Sequence, residues 1–343
     1  MTTTTTRARI AGAVSAAIVL ALLITLGPRP VAVPDEPTGD AELAAFLKDR
    51  APRGAGRITA FVIQDDQVRY AGLGADEHLE HEIGSISKTM VGELLHDATE
   101  GGSLALTTTV GDLVPASGAP VADVTLRELA THTSGLPRLG PTGIMGWVRA
   151  VVGSDPYTGI TPDDVIAHSL DAELTDRGQD EYSNLGYALL GHLLAQSAQV
   201  PFPTLMQEKV LTPLGMQASY VAADGTVAAD APRGRAVTGR LAEPWDSEGY
   251  GPAGSVRSTS HDMALYARHV LSSQREPLSW ADTTVGEHQV MWHNGGTGGY
   301  STMLVLHRPT GTAAYVATDS TASVDDLGLD LFAHLHGIAP KGA

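Results

Sequence analysis

The chain of 343 residues has no cysteine, only four lysines and only two asparagines. Without cysteine there can be no disulfide framework, zinc–thiolate site, iron–sulfur cluster, thiol nucleophile or lipidated-cysteine anchor. Positive charge is scarce as well: 22 Lys and Arg stand against 39 Asp and Glu, a formal net charge of −17. A nucleic-acid binder needs a cationic face that releases counterions from phosphates, and this composition offers none, so no nucleic-acid partner is expected. What the chain does have is 43% hydrophobic and 18% charged residues, a globular rather than a disordered composition.

Arg7 and Arg9 precede an uncharged stretch from Ile10 to Gly27. A positive flank before such a run marks an export signal or an anchor whose N-terminus stays inside. No good small-x-small cleavage site follows, because Pro30 sits two residues before Ala32. Residues 1–27 are therefore expected to form a membrane-associated helix. The rest of the chain would then be extracytoplasmic, membrane-anchored or secreted. Pro28, Pro30, Pro34 and Pro37 make residues 28–39 an extended, stiff tether. Residues 40–338 show no second linker or repeat and read as one domain. A body of that size can bury about 75% of its unfolded surface without covalent staples.

The spacing predicts helices over 43–50, 87–99, 185–196 and 325–336, and a hairpin of strands 58–64 and 68–73 around Asp65-Asp66. Thr125 and Glu128 form a capping box that opens another helix, with Gly135 and Pro137 at its end. Further strands are expected at 289–292, 301–307 and 313–318. Strands at both ends of the chain with helices between them imply an α+β fold, one antiparallel sheet built from both termini around a mostly helical middle region.

Three short patterns carry chemistry. Ser85-Ile86-Ser87-Lys88 lies where a strand-like segment passes Gly84 into a helix, and three-residue spacing stacks Ser85 over Lys88. A desolvated lysine amine there can take the proton of the serine hydroxyl. Tyr182-Ser183-Asn184 offers a phenol for proton relay and an amide to hold a carbonyl, although an aromatic packed under a helix is the blander account. His293-Asn294-Gly295-Gly296-Thr297 follows a strand, and glycines on such an edge let a substrate lie close while N–H groups face a developing oxyanion. A plain glycine-rich turn is the competing account.

In this order the three patterns resemble those of the serine β-lactamase-like, penicillin-binding hydrolases: class C β-lactamases, D,D-peptidases and esterases. Further landmarks at Thr125–Pro137, Pro213–Met216 and Gly254–Met263 are similar too, and the resemblance covers about residues 42–336. It implies a β-lactamase/transpeptidase-like fold, acylation of Ser85, and shared acid–base work by Lys88 and Tyr182. It also implies an oxyanion held between the N–H groups of Ser85 and Gly296, with Asn184, His293, Gly295, Gly296 and Thr297 binding substrate and His132 structural. No cofactor and no metal are implied. The substrate would be a small molecule or a peptide: a β-lactam or a D-amino-acid, cell-wall type amide. The third pattern is K-T-G or H-x-G in this family; true β-lactamases and many peptidases place Lys where this chain has His293, and the resemblance therefore favours esterase or amidase specificity. A silent penicillin-binding receptor on the same fold is the third reading. No serine has the G-x-S-x-G setting of an α/β-hydrolase, and His78-Leu79-Glu80-His81-Glu82 lacks the H-E-x-x-H spacing of a metallohydrolase.

Overall fold

The computed structural model describes residues 31–339, except 143–145, 147 and 150–152. Strands β1 (Pro37–Gly39), β2 (Ile58–Gln64) and β3 (Gln67–Leu73) come from the N-terminal side. They share a seven-stranded sheet with β7 (Ala281–Val285), β8 (His288–Gly296), β9 (Ser301–His307) and β10 (Thr312–Thr318). The order is β1-β3-β2-β10-β9-β8-β7, with every pairing antiparallel. The two ends of the chain meet where β2 pairs with β10, from Ile58 opposite Thr318 to Ile63 opposite Ala313.

Both faces of this sheet are covered, so β2 reads as a continuous apolar run of β-branched and aromatic residues. Period-2 alternation divides it. Phe61 and Ile63 enter the larger core, whereas Ile58, Ala60 and Val62 face the smaller one. The smaller core is closed by α1 (Ala41–Arg50) and by the C-terminal helix through Leu327, Leu331 and Phe332. Asp40 starts α1 by accepting from the Leu43 N–H at 2.9 Å.

The larger core holds α2 (Ser87–Glu100), α3 (Val110–Leu113), α4 (Leu126–Ala130), α5 (Pro162–Leu170), α6 (Asn184–Ala198), α7 (Phe202–Met206), α8 (Gly251–Gly254) and α9 (Ser260–Ser272). The C-terminal helix is α10 (Asp325–Leu335). Helix α6 is buried on all sides from Leu185 to Ala195, which is why its apolar residues are not confined to one stripe. A second, three-stranded sheet, β4-β6-β5, joins His81–Glu82, Val256–Ser258 and Tyr220–Val221.

Four differences from the sequence reading have physical causes. Pro37–Gly39, assigned to the tether, pairs with Ala71–Leu73 as an edge strand, where prolines are tolerated. The polar strand β7 carries no apolar pattern, and it is held by pairing with β8. Helix α4 has the expected capping box but ends at Ala130 rather than near Gly135. The chain turns there through His132 at φ 58°. Strand β8 runs through the histidine–glycine pattern instead of stopping before it. Among the described residues no helix is long and apolar enough to cross a membrane, and the 10–27 stretch expected to do so lies outside them.

Candidate active site

Gly84 makes the first decisive turn. Its φ is +54°, and a Cβ there would stand 2.7 Å from the Gly296 nitrogen, so backbone packs directly on backbone. Ser85 follows in a single 3₁₀ turn, Gly84–Ile86, that feeds into α2. Lys88 lies in the first turn of α2, three residues on, which puts it on the same face as Ser85. Lys88 is wholly buried, and its Nζ donates to Ser85 Oγ at 3.0 Å and to the Ala253 carbonyl of α8. Loss of hydration pushes the Lys88 pKa down, and the Arg138 charge pushes it the same way against a partial offset from Tyr182. A lysine so placed can become a neutral amine within reach of a hydroxyl proton.

Tyr182 reaches the same place from the N-terminus of α6. Its ring centroid lies 5.0 Å from Lys88 Nζ and 4.4 Å from the His132 ring. His132 Nδ1 accepts from the Ser183 N–H at 3.0 Å, and burial pushes its pKa down to about 3. It is thus a neutral packing element between Tyr182 and Tyr187. Ser183 caps α6 by accepting from the Gly186 N–H while its hydroxyl donates to the Pro137 carbonyl. Asn184 therefore starts the helix at a fixed angle. Its Nδ2 donates to the Tyr157 hydroxyl at 3.3 Å, and its buried Oδ1 has no partner among the described residues.

His293 sits on β8, buried and close enough to Lys88 for their charges to interact; together these push its pKa down to about 4. Its Nδ1 lies 2.6 Å from the Asn294 carbonyl. A carbonyl only accepts, so that nitrogen carries the proton of a neutral imidazole.

Ser85, Tyr182, Asn184 and Gly296 line one cavity of about 720 Å³. The other expected residues do not reach it. His293 and Lys88 are buried and are not among its lining residues, although Lys88 touches Ser85 Oγ. Gly295 is there for packing, because a Cβ would collide with the Ile83 carbonyl. Thr297 turns inward, where its hydroxyl accepts from the Gly299 and Tyr300 N–H groups and shapes the bend after β8. Strand alternation is the reason for His293 and Gly295: only every second position of β8 can face the opening.

Asn294, inside the third pattern but given no role there, lines the cavity, and so do Arg138, Tyr157, Trp245 and Tyr250, which no sequence pattern marked. Tyr157 and Tyr250 stack at 4.0 Å, and Trp245 meets Tyr157 edge-on at 5.5 Å. The Trp245 N–H donates to Glu82 Oε1 at 3.1 Å, and the same carboxylate accepts from the buried Arg257 at 3.0 Å. His81 is committed elsewhere, with Nε2 2.7 Å from the Tyr315 hydroxyl and Nδ1 3.0 Å from the Leu79 carbonyl. Tyr157, Trp245 and Tyr250 carry no signal in the sequence beyond aromatic type, and Arg138 directly follows the Thr125–Pro137 landmark.

Comparison with known proteins places this geometry. The Beta-lactamase family profile matches residues 40–337. The chain is 33% identical over 169 residues to "Beta-lactamase" of Providencia stuartii, covering 49% of this chain and 40% of that one. It is 32% identical over 200 residues to "D-alanyl-D-alanine-carboxypeptidase/endopeptidase AmpH" of Escherichia coli K12, covering 56% and 49%. The chain spans about half the length of the curated relatives it matches, from 31% to 60%. A class C β-lactamase structure from Rhodobacter sphaeroides superposes with TM-score 0.72 at 18% identity, over 87% of this chain and 100% of that one, a likeness of fold. The chain thus belongs to the β-lactamase family, whose members are serine hydrolases.

Proposed function

We propose that the chain is an extracytoplasmic serine hydrolase that forms an acyl-enzyme on Ser85 with β-lactam or D-amino-acid peptide amides. The observation carrying this reading is the 3.0 Å contact from Lys88 Nζ to Ser85 Oγ, with the lysine buried and its pKa depressed. Lys88, as a neutral amine, takes the Ser85 proton while Oγ attacks the carbonyl carbon. The oxyanion lies between the N–H groups of Ser85 and Gly296, which the Gly84 contact holds together. Asn184 orients the acyl chain, and Tyr182 and Lys88 pass the proton to the leaving group. Water then releases the acyl group by the reverse route. The location rests on Arg7, Arg9 and the uncharged stretch after them.

Intact mass after incubation with a penicillin and with a fluorophosphonate tests the reading. A covalent adduct of each is expected on the wild-type chain and none on Ser85→Ala. No Ser85-dependent adduct with either reagent at millimolar concentration would refute it. A second reading, an esterase or amidase with little β-lactamase activity, draws support from His293, which burial keeps neutral and which offers no permanent charge to a carboxylate. It predicts rapid turnover of short p-nitrophenyl esters beside slow reaction with penicillin.

A further inference from the structure

Arg138 is the charged residue among those described as lining the cavity, and no carboxylate lines it. In this chain of net charge −17, Arg57, Arg69, Arg127, Arg177, Arg235, Arg257 and Arg275 face carboxylates, whereas Arg138 is among the arginines that do not. Among the described residues Arg138 makes no ion pair. Its backbone is fixed, since its carbonyl accepts from the Asn184 N–H at 2.9 Å and from the Leu185 N–H at 3.4 Å. Its guanidinium carbon stands 4.9 Å from the Tyr182 ring centroid. A guanidinium laid over an aromatic ring is pre-oriented and keeps its N–H edge free for a two-pronged bond to a carboxylate.

We propose that Arg138 is the carboxylate-recognising cation of this site, so that acyl donors carrying a free carboxylate are selected from the Tyr182–Asn184 side rather than from beside His293. This deepens the acyl-enzyme reading and rests on it. His293, neutral and buried, offers no charge to a bound anion. The first residue of α6 and the rim arginine are tied through one carbonyl, so the carboxylate clamp and the Asn184 amide keep a fixed spacing. Water reaches the rim, so the pairing is partly screened and weakens further with salt.

The test separates binding from chemistry. Calorimetry on the full Ser85→Ala chain compares benzylpenicillin with its methyl ester, and the Ser85→Ala/Arg138→Gln double variant repeats the comparison. The free acid should bind about tenfold tighter than the ester to the single variant, the low end of a hydrogen bond to a charged group. That preference should vanish in the double variant and return in part with Arg138→Lys. Equal affinities in the single variant, no binding of either compound, or a preference that survives Arg138→Gln would overturn the proposal. In the reactive chain, Arg138→Gln should lower the acid-to-ester ratio of acylation rates about tenfold. An equal fall for both donors would instead mean that Arg138 acts through Tyr182, and would also overturn it. If the Ser85→Ala preference is present but the wild-type chain forms no adduct, the hydrolase reading fails and the carboxylate site stands.

Discussion

Replacing Gly84 by Ala tests the link between backbone packing and chemistry. At φ +54° an L-residue costs about 1–2 kcal/mol from its own backbone. The new Cβ would also stand 2.7 Å from the Gly296 nitrogen, 3.1 Å from the Gly295 carbonyl carbon and 3.1 Å from the Gly296 carbonyl oxygen. Those atoms are backbone of a paired strand and cannot rotate away, so β8 must retreat by about 0.5 Å to restore ordinary contact. The total cost is about 2–4 kcal/mol, or a fall in Tm of about 4–10 °C for a domain of this size. If the Gly296 N–H is one of two oxyanion donors, its displacement should slow acylation about a hundredfold, as loss of one such donor does. Gly102→Ala is the control: it has the same left-handed strain at φ +71°, with nothing within 4 Å of its Cβ. It should lower Tm by about 2–4 °C and leave acylation by fluorophosphonate at the wild-type rate. Thermal unfolding followed by circular dichroism, with adduct formation timed by intact mass, reads both quantities. A Gly84→Ala chain that is destabilised yet acylates within threefold of wild type would refute the placement of the oxyanion at Gly296.

Two further outcomes follow from buried titrating groups. His81, His132 and His293 have pKa values pushed down to about 4, about 3 and about 4 by burial. Above their unfolded value near 6.5 neither state is charged and the fold pays nothing. Below it the unfolded chain binds protons that the folded chain refuses, so stability falls from pH 6.5 until the folded groups themselves titrate near 4 and 3. Three such groups give a slope of at most about 4 kcal/mol per pH unit, partly offset by Asp155, which burial pushes up to about 6, so stability followed by circular dichroism should fall between about pH 6 and 4. A Tm unchanged between about pH 6 and 4 would contradict that. His293→Lys would place a second amine beside Lys88, where like charges depress one another's pKa. The acidic limb of the ester-hydrolysis pH profile should move to lower pH, while improvement toward carboxylate-bearing β-lactams should be small. A large gain for those β-lactams would instead assign carboxylate recognition to position 293 and count against Arg138.

The chemistry in the sequence was legible wherever it was local. Ser85 and Lys88 are three residues apart, so the backbone turn alone brings them into contact, whatever surrounds it. The Thr125–Glu128 capping box is likewise a pair of short-range hydrogen bonds between neighbours in the chain. Apolar periodicity located α2, α6, α10 and strands β2, β9 and β10, because burial on one or both faces repeats at the period of the element. Edge strands β1 and β7 left no such trace, since pairing rather than burial holds them. The face that each residue of the third pattern presents was also hidden, because a strand's start decides which alternate positions open to the cavity. Gly295 packs on the Ile83 carbonyl, and Thr297, just past the end of β8, bonds within its own turn.

The sequence by itself determined the Ser85–Lys88 contact and the α+β plan, because each depends on spacing along the chain. Only the tertiary structure decided the charge states and the walls. His293 is neutral because the fold buries it beside Lys88, and Lys88 is tuned because α8 and Tyr182 close over it. Arg138, Trp245 and Tyr182 come from segments far apart in sequence and meet at one cavity through packing around α6. Desolvation and long-range convergence are properties of the packed molecule, and no local pattern of residue types encodes them.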